Sequence, residues 1–125
     1  MIVGIGTDIA KVSRIEAAFT RSGERFARRI LTENEYAVFA QRNYAASYLA
    51  TRFAAKEAAS KALGTGIGQV SFHDMEIVNA PSGAPELHFY GSARRIQIER
   101  GIDTLHISLS DEKEYAQAFV ILESR

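Results

Sequence analysis

Arg52-Phe53-Ala54-Ala55-Lys56-Glu57-Ala58-Ala59-Ser60-Lys61-Ala62 runs through Leu63 into Gly64-Thr65-Gly66-Ile67-Gly68. The stretch is rich in alanine, contains no helix breaker, and ends at a glycine suited to the left-handed conformation that closes helices, so it reads as a helix from about Tyr44 to Leu63. On such a helix Glu57 and Lys61 share one face, a carboxylate and an ammonium one turn apart beside a flexible loop. On geometry alone the two also make an ordinary surface ion pair worth ~0.3–0.5 kcal/mol.

The chain opens with Met1-Ile2-Val3-Gly4-Ile5-Gly6-Thr7-Asp8-Ile9, a β-prone apolar run that delivers a single acid. Glycines in a strand permit close backbone approach. An aspartate in so apolar a setting is costly to desolvate unless it lies at a strand end, is hydrogen-bonded, or meets a cation. Asp8 reads equally as a cap before Lys11-Val12-Ser13.

Beyond these segments, Ser13 with Glu16 predicts a capping box for a helix to about Arg21, and Glu24 to Ile30 a short helical turn. Thr32 with Glu35 predicts a second capping box and a helix ending near Gln41. The second half changes character. Met75–Val78, Glu86–Phe89, Leu105–Ser110 and Tyr115–Leu122 read as strands, with turns at Pro81-Ser82-Gly83 and Asp111 to Glu114. Gly91–Arg100 reads as a helix closed by Gly101. N-terminal helices followed by strands argue for an α+β fold with a mainly antiparallel sheet, and the lack of repeats or linkers for a single domain over 1–125.

With 125 residues, 46% hydrophobic and 24% charged, the chain is ordinary globular material and can bury roughly two-thirds of its surface. The sequence offers no transmembrane helix or secretory signal, and it has no cysteine, which excludes disulfides, thiolate metal sites and a cysteine nucleophile. A cytoplasmic location is expected. The net charge is zero but unevenly spread. Residues 1–31 hold the bases Lys11, Arg14, Arg21, Arg25, Arg28 and Arg29 against Asp8, Glu16 and Glu24. Arginine favours forked contacts to carboxylate or phosphate, so this quarter reads as an acidic-partner surface or a solvated face. No aromatic interleaving accompanies the charge, which argues against nucleic acid.

Neither glycine cluster is a nucleotide fingerprint. Gly64 to Gly68 follows its helix, whereas a Walker loop precedes one, and Gly4-Ile5-Gly6 lacks a third glycine because position 9 is Ile. His73, His88 and His106 show no metal-ligand spacing and read as structural.

Gly4-Ile5-Gly6-Thr7-Asp8-Ile9, together with Arg52 to Ala62 and Gly64-Thr65-Gly66, resembles the motifs of the holo-acyl-carrier-protein synthases, the small 4′-phosphopantetheinyl transferases. Arg28-Arg29-Ile30-Leu31-Thr32 with Glu35, and Glu114-Tyr115-Ala116, extend the resemblance over nearly the whole chain. It implies transfer of the phosphopantetheine of coenzyme A to a serine of apo acyl carrier protein, serving fatty acid biosynthesis, with adenosine 3′,5′-bisphosphate released. It implies Asp8 and Glu57 as ligands of Mg2+, and Glu57 and Lys61 as the catalytic pair. Arg52, Lys61, Gly64, Thr65 and Gly66 are implied to hold coenzyme A, and Arg14, Arg25, Phe26 and Arg29 to dock the carrier. A homotrimer with interfacial sites is implied as well. Glu57 is a candidate general base, directly or through a water. Where many relatives carry a hairpin histidine this chain reads Ser108-Leu109-Ser110-Asp111, so no role of that histidine passes to Asp111. Two other readings keep part of the pattern: another Mg-dependent enzyme of nucleotide diphosphates, and a noncatalytic module for carrier proteins or anions.

Overall fold

The computed structural model describes residues 1–125. Strand β1 (Ile2–Lys11) leads straight into α1 (Val12–Ser22), then α2 (Glu24–Ile30), α3 (Glu33–Gln41) and α4 (Ala46–Leu63). A 3-10 turn at Phe72–Asp74 precedes β2 (Met75–Asn79) and β3 (Pro85–Phe89), followed by α5 (Gly91–Glu99), β4 (Ile102–Asp111) and β5 (Tyr115–Ser124). The strands form two antiparallel sheets, β1-β5-β4 and the hairpin β2-β3. The fold is α+β. No helix is long and apolar enough to cross a membrane.

Helix α4 is the centre of the molecule. Ala50, Ala54, Ala55, Ala58 and Ala59 are wholly buried, because small side chains let the sheet close on one side and the other helices on the other. Strand β5 alternates as a half-covered strand must: Ala116, Ala118, Val120 and Leu122 pack inward, while Tyr115, Gln117 and Phe119 face out. Strand β1 brings Gly4 and Gly6 against α4. A Cβ on Gly4 would lie 2.1 Å from the Ala62 carbonyl oxygen, and one on Gly6 2.0 Å from that of Ala58. Both contacts are with helix backbone, so only glycine lets the strand lie this close. The opposite face of the sheet is open, with Ile5, Ile9, Tyr115 and Phe119 exposed.

Several local expectations are corrected. The Ser13–Glu16 capping box does not form: α1 begins at Val12 with no side-chain cap, and the Val12 N–H instead donates to the Glu114 carbonyl at 2.8 Å. Helix α4 begins at Ala46, since Asn43 and Tyr44 both take positive φ and cannot be helical. Strand β1 continues to Lys11 and β4 starts at Ile102, both extended by pairing with β5. The Thr32–Glu35 capping box forms, with Glu35 N–H donating to Thr32 Oγ1 and Thr32 N–H to Glu35 Oε1. Gly64 closes α4 in the left-handed conformation with φ of 78°.

Candidate active site

Asp8 leaves β1 two residues beyond Gly6, on the side of the strand that faces α4, because side chains alternate along a strand. Its partner is Lys61, whose Nζ donates to Asp8 Oδ1 at 3.0 Å and to the Thr7 carbonyl at 3.1 Å. The Asp8 side chain is 17% exposed and that of Lys61 52%, so the pair lies at the mouth of the strand–helix seam. Glu57 stands one turn before Lys61, partly covered, and makes no ion pair with it. Burial, then the Asp8 carboxylate, push the Glu57 carboxyl above its usual range, and Lys61 pulls it down by less. Two carboxylates thus converge with one ammonium between them and solvent.

This donor set suits a hard divalent cation. No cluster of three or more acidic or histidine side chains forms. Magnesium is commonly held by one or two carboxylates while phosphate oxygens and waters complete its octahedron, and a dication here would offset the burial and the Asp8 charge that raise Glu57.

The glycine loop follows one turn beyond Lys61. Gly64 and Gly66 take φ of 78° and 66°, and Thr65 Oγ1 donates to the carbonyls of Gly66 and Ser60. Arg52 is elsewhere. It lies nine residues before Lys61, roughly 13 Å along the helix at 1.5 Å per residue. Its guanidinium sits over the Tyr48 ring at 4.2 Å and donates to Thr51 Oγ1 and Asn79 Oδ1. Arg52 is only 5% exposed, and its buried Nε has no partner. It lines a small cleft with Arg42, Tyr48 and Asp111, and Asp111 also borders the open sheet face beside Ile9, Tyr115 and Gln117. Within one chain the residues implied for coenzyme A therefore fall into two groups.

The arginine surface is also divided. Arg25, Phe26 and Arg29 line one open groove with Arg21 and Ser22, formed where α1 turns into α2. Arg14 is exposed on α1 outside that groove. Arg28 is withdrawn from it, bonded to Glu24 and Glu33 and stacked on Tyr36.

Sequence reasoning missed Lys56 and Arg100. Lys56 is wholly buried and paired with Glu35 at 2.5 Å, and burial lowers its ammonium. The signal for Lys56 was present, since a lysine inside an alanine-rich buried run needs a partner and Glu35 is the nearest acid of the preceding helix. Arg100 donates to the Leu63 and Val3 carbonyls, fastening the end of α4 to β1, and nothing in its neighbours announces this. His73 meets the Arg28 carbonyl and His106 meets Glu123, while His88 is exposed and 3.8 Å from Glu86.

Asp8, Glu57 and Lys61 thus meet at one strand–helix seam followed by a glycine loop, and comparison with known proteins gives the family. The chain belongs to the 4′-phosphopantetheinyl transferase superfamily, whose family model matches residues 4–120. Among its relatives, a holo-[acyl-carrier-protein] synthase of Vibrio atlanticus is 55% identical, aligned over 98% of each chain. One from Vibrio cholerae is 54% identical over the full length of both. The holo-[acyl-carrier-protein] synthase of Neisseria meningitidis superposes with a TM-score of 0.92 at 44% identity, covering 99% of this chain and 100% of that one. A Bacillus anthracis synthase in complex with CoA (3′,5′-ADP) superposes at 0.84 and 44% identity, over 100% and 99% of the two chains.

Proposed function

We propose that this protein transfers the 4′-phosphopantetheine group of coenzyme A to a serine of apo acyl carrier protein, for fatty acid biosynthesis. The observation that carries the reading is the convergence of Asp8, Glu57 and Lys61 at the seam of β1 and α4, in a chain that matches holo-[acyl-carrier-protein] synthases end to end.

In this reaction the serine oxygen bonds to the pantetheine-side phosphorus and the bridging P–O bond breaks, so adenosine 3′,5′-bisphosphate leaves. The serine proton goes to Glu57, directly or through a water, since Glu57 stands only partly covered at the seam with no ion pair to Lys61. Lys61 neutralises charge that develops on the departing phosphate. Asp8 orients Lys61 before substrate arrives, through the bond at 3.0 Å. Asp8 and Glu57 would hold Mg2+, which supplies charge neutralisation at the pyrophosphate when bound. Gly64, Thr65 and Gly66 give the phosphates close access to backbone. Arg52 supplies a second positive centre for the far end of the cofactor.

Arg25, Phe26 and Arg29 form the core of the carrier dock, with Arg14 steering from α1; acyl carrier proteins are acidic, and the groove offers guanidiniums around one apolar ring. Residues 1–125 act as one domain, consistent with a single core cluster running from Ala10 to Leu122. The assembly is a homotrimer with sites between subunits. Supporting this are the exposed Ile5, Ile9 and Phe119 on the open sheet face and the separation of Arg52 from Lys61 within one chain. The location is cytoplasmic, where coenzyme A and the carrier are met.

Intact-mass spectrometry of an apo acyl carrier protein incubated with this protein, coenzyme A and Mg2+ tests the reading. The expected result is a gain of one phosphopantetheine that disappears with EDTA. No gain with several carriers and folded enzyme overturns it, and turnover of a nucleotide diphosphate without any carrier would replace it.

A further inference from the structure

Lys56 immediately precedes Glu57 but points into the interior, where it is 0% exposed. Its Nζ donates to Glu35 Oε1 at 2.5 Å and to the Ile30 carbonyl at 2.7 Å. Glu35 is fully engaged around it: Oε1 also accepts from the Thr32 N–H at 2.9 Å, and Oε2 accepts from the Ile77 N–H at 2.8 Å. Ile30 is the last residue of α2, so its carbonyl is among those a helix leaves without an internal partner. The end of α2 is held a second time by His73, whose Nε2 lies 2.6 Å from the Arg28 carbonyl.

The network therefore joins three things through one side chain. The backbone of α4 at Lys56 adjoins the Glu57 of the reaction site. The captured carbonyl ends the helix that presents Arg25, Phe26 and Arg29. Glu35 ties both to the first strand of the hairpin. A well-packed apolar pair of similar volume often fills such a space with no loss of stability, but it makes no directional contact with the Ile30 carbonyl. A buried ammonium with two fixed acceptors does dictate it.

We propose that Lys56, with Glu35, is a positioning residue that sets the angle and distance of α2 relative to Glu57, so that a carrier docked on α2 delivers its serine to the site. The inference rests on the docking role given to α2 above.

Lys56→Met alone strands the Glu35 carboxylate in the interior and loses stability for that reason, so the decisive variant is Glu35→Gln combined with Lys56→Met, which removes both charges at nearly constant volume. After thermal melting has established that it is folded at the assay temperature, coenzyme A and apo acyl carrier protein are varied independently in steady-state assays. The expected result is a kcat/KM for the carrier lowered about tenfold, carried mainly by kcat, with the KM for coenzyme A within about threefold of wild type. Amide exchange across residues 24–31 accelerates in the same variant. A folded double variant with unchanged kcat/KM for the carrier, or one whose coenzyme A binding falls in equal measure, overturns the proposal. Arg25→Glu is assayed in parallel. If Arg25→Glu raises the carrier KM while the double variant keeps its kcat/KM, the positioning role fails and docking stands; if Arg25→Glu leaves the carrier KM unchanged, the docking reading fails instead.

Discussion

Lys61 reaches across the seam to Asp8, 53 residues away in sequence, at 3.0 Å, and leaves Glu57, one turn back on its own helix, without an ion pair. The acid on the strand and the base on the helix are thus coupled through tertiary structure, while the local i, i+4 pair stays open. The carboxylate without an ion pair is the one proposed above to take the serine proton.

Asp8→Asn removes both the charge that a magnesium ion would meet and the acceptor that orients Lys61. Transfer to the carrier should fall on the order of a thousandfold, as when a single preorganised charge contact is lost. Single-turnover assays over a range of Mg2+, with a circular dichroism spectrum as control, measure this. Activity within a few-fold of wild type would remove Asp8 from the site.

Glu57→Gln should cost activity and raise stability. The folded chain holds the Glu57 carboxyl above its ordinary range through burial and Asp8, so the ionised form penalises the native state once pH exceeds the unfolded value. As pH falls through the raised folded value the proton returns and the penalty lapses. The Gln variant should therefore melt above wild type at neutral pH without added metal, and the difference should close below about pH 4. A lower melting temperature at neutral pH contradicts this assignment.

Gly6→Ala places a methyl 2.0 Å from the Ala58 carbonyl oxygen, and helix backbone cannot yield as a side-chain tip does. A loss of about 3 kcal/mol in urea unfolding is expected, at the upper end of overpacking costs. Gly68→Ala, at a position with open space around it, changes only backbone strain and provides the comparison.

Arg25→Glu should raise the KM for the carrier roughly tenfold at low salt and flatten its salt dependence, because the groove's contribution is electrostatic. The KM for coenzyme A should not move. Arg28→Glu, whose guanidinium is already committed to Glu24, Glu33 and Tyr36, should affect folding more than docking.

Much of this was legible in the sequence where a local rule governs. The Thr32–Glu35 capping box, the glycine that ends α4 and the Pro81-Ser82-Gly83 turn depend on neighbours in the chain, and each forms as read. The Ser13–Glu16 box failed because β1 feeds α1 without a break and a backbone carbonyl from Glu114 takes the donor first. Glu35 was seen as a cap alone, since the lysine that meets it lies a helix away. The two-group division of Arg52 from Gly64 to Gly66 was hidden for a related reason: a motif is contiguous in sequence, but a helix carries its members roughly 1.5 Å further apart with each residue.

Strand β1 turns Gly4, Gly6, Asp8 and Ala10 to the helix and Ile5, Thr7 and Ile9 away from it. If it docked out of phase by one residue, three branched side chains would meet a helix surface that has no room for one methyl, and Asp8 would turn to the far side. Such a misdocked chain cannot close. The two missing side chains therefore act as a proofreading step in folding: any molecule compact enough to persist already has its acid aimed at the helix.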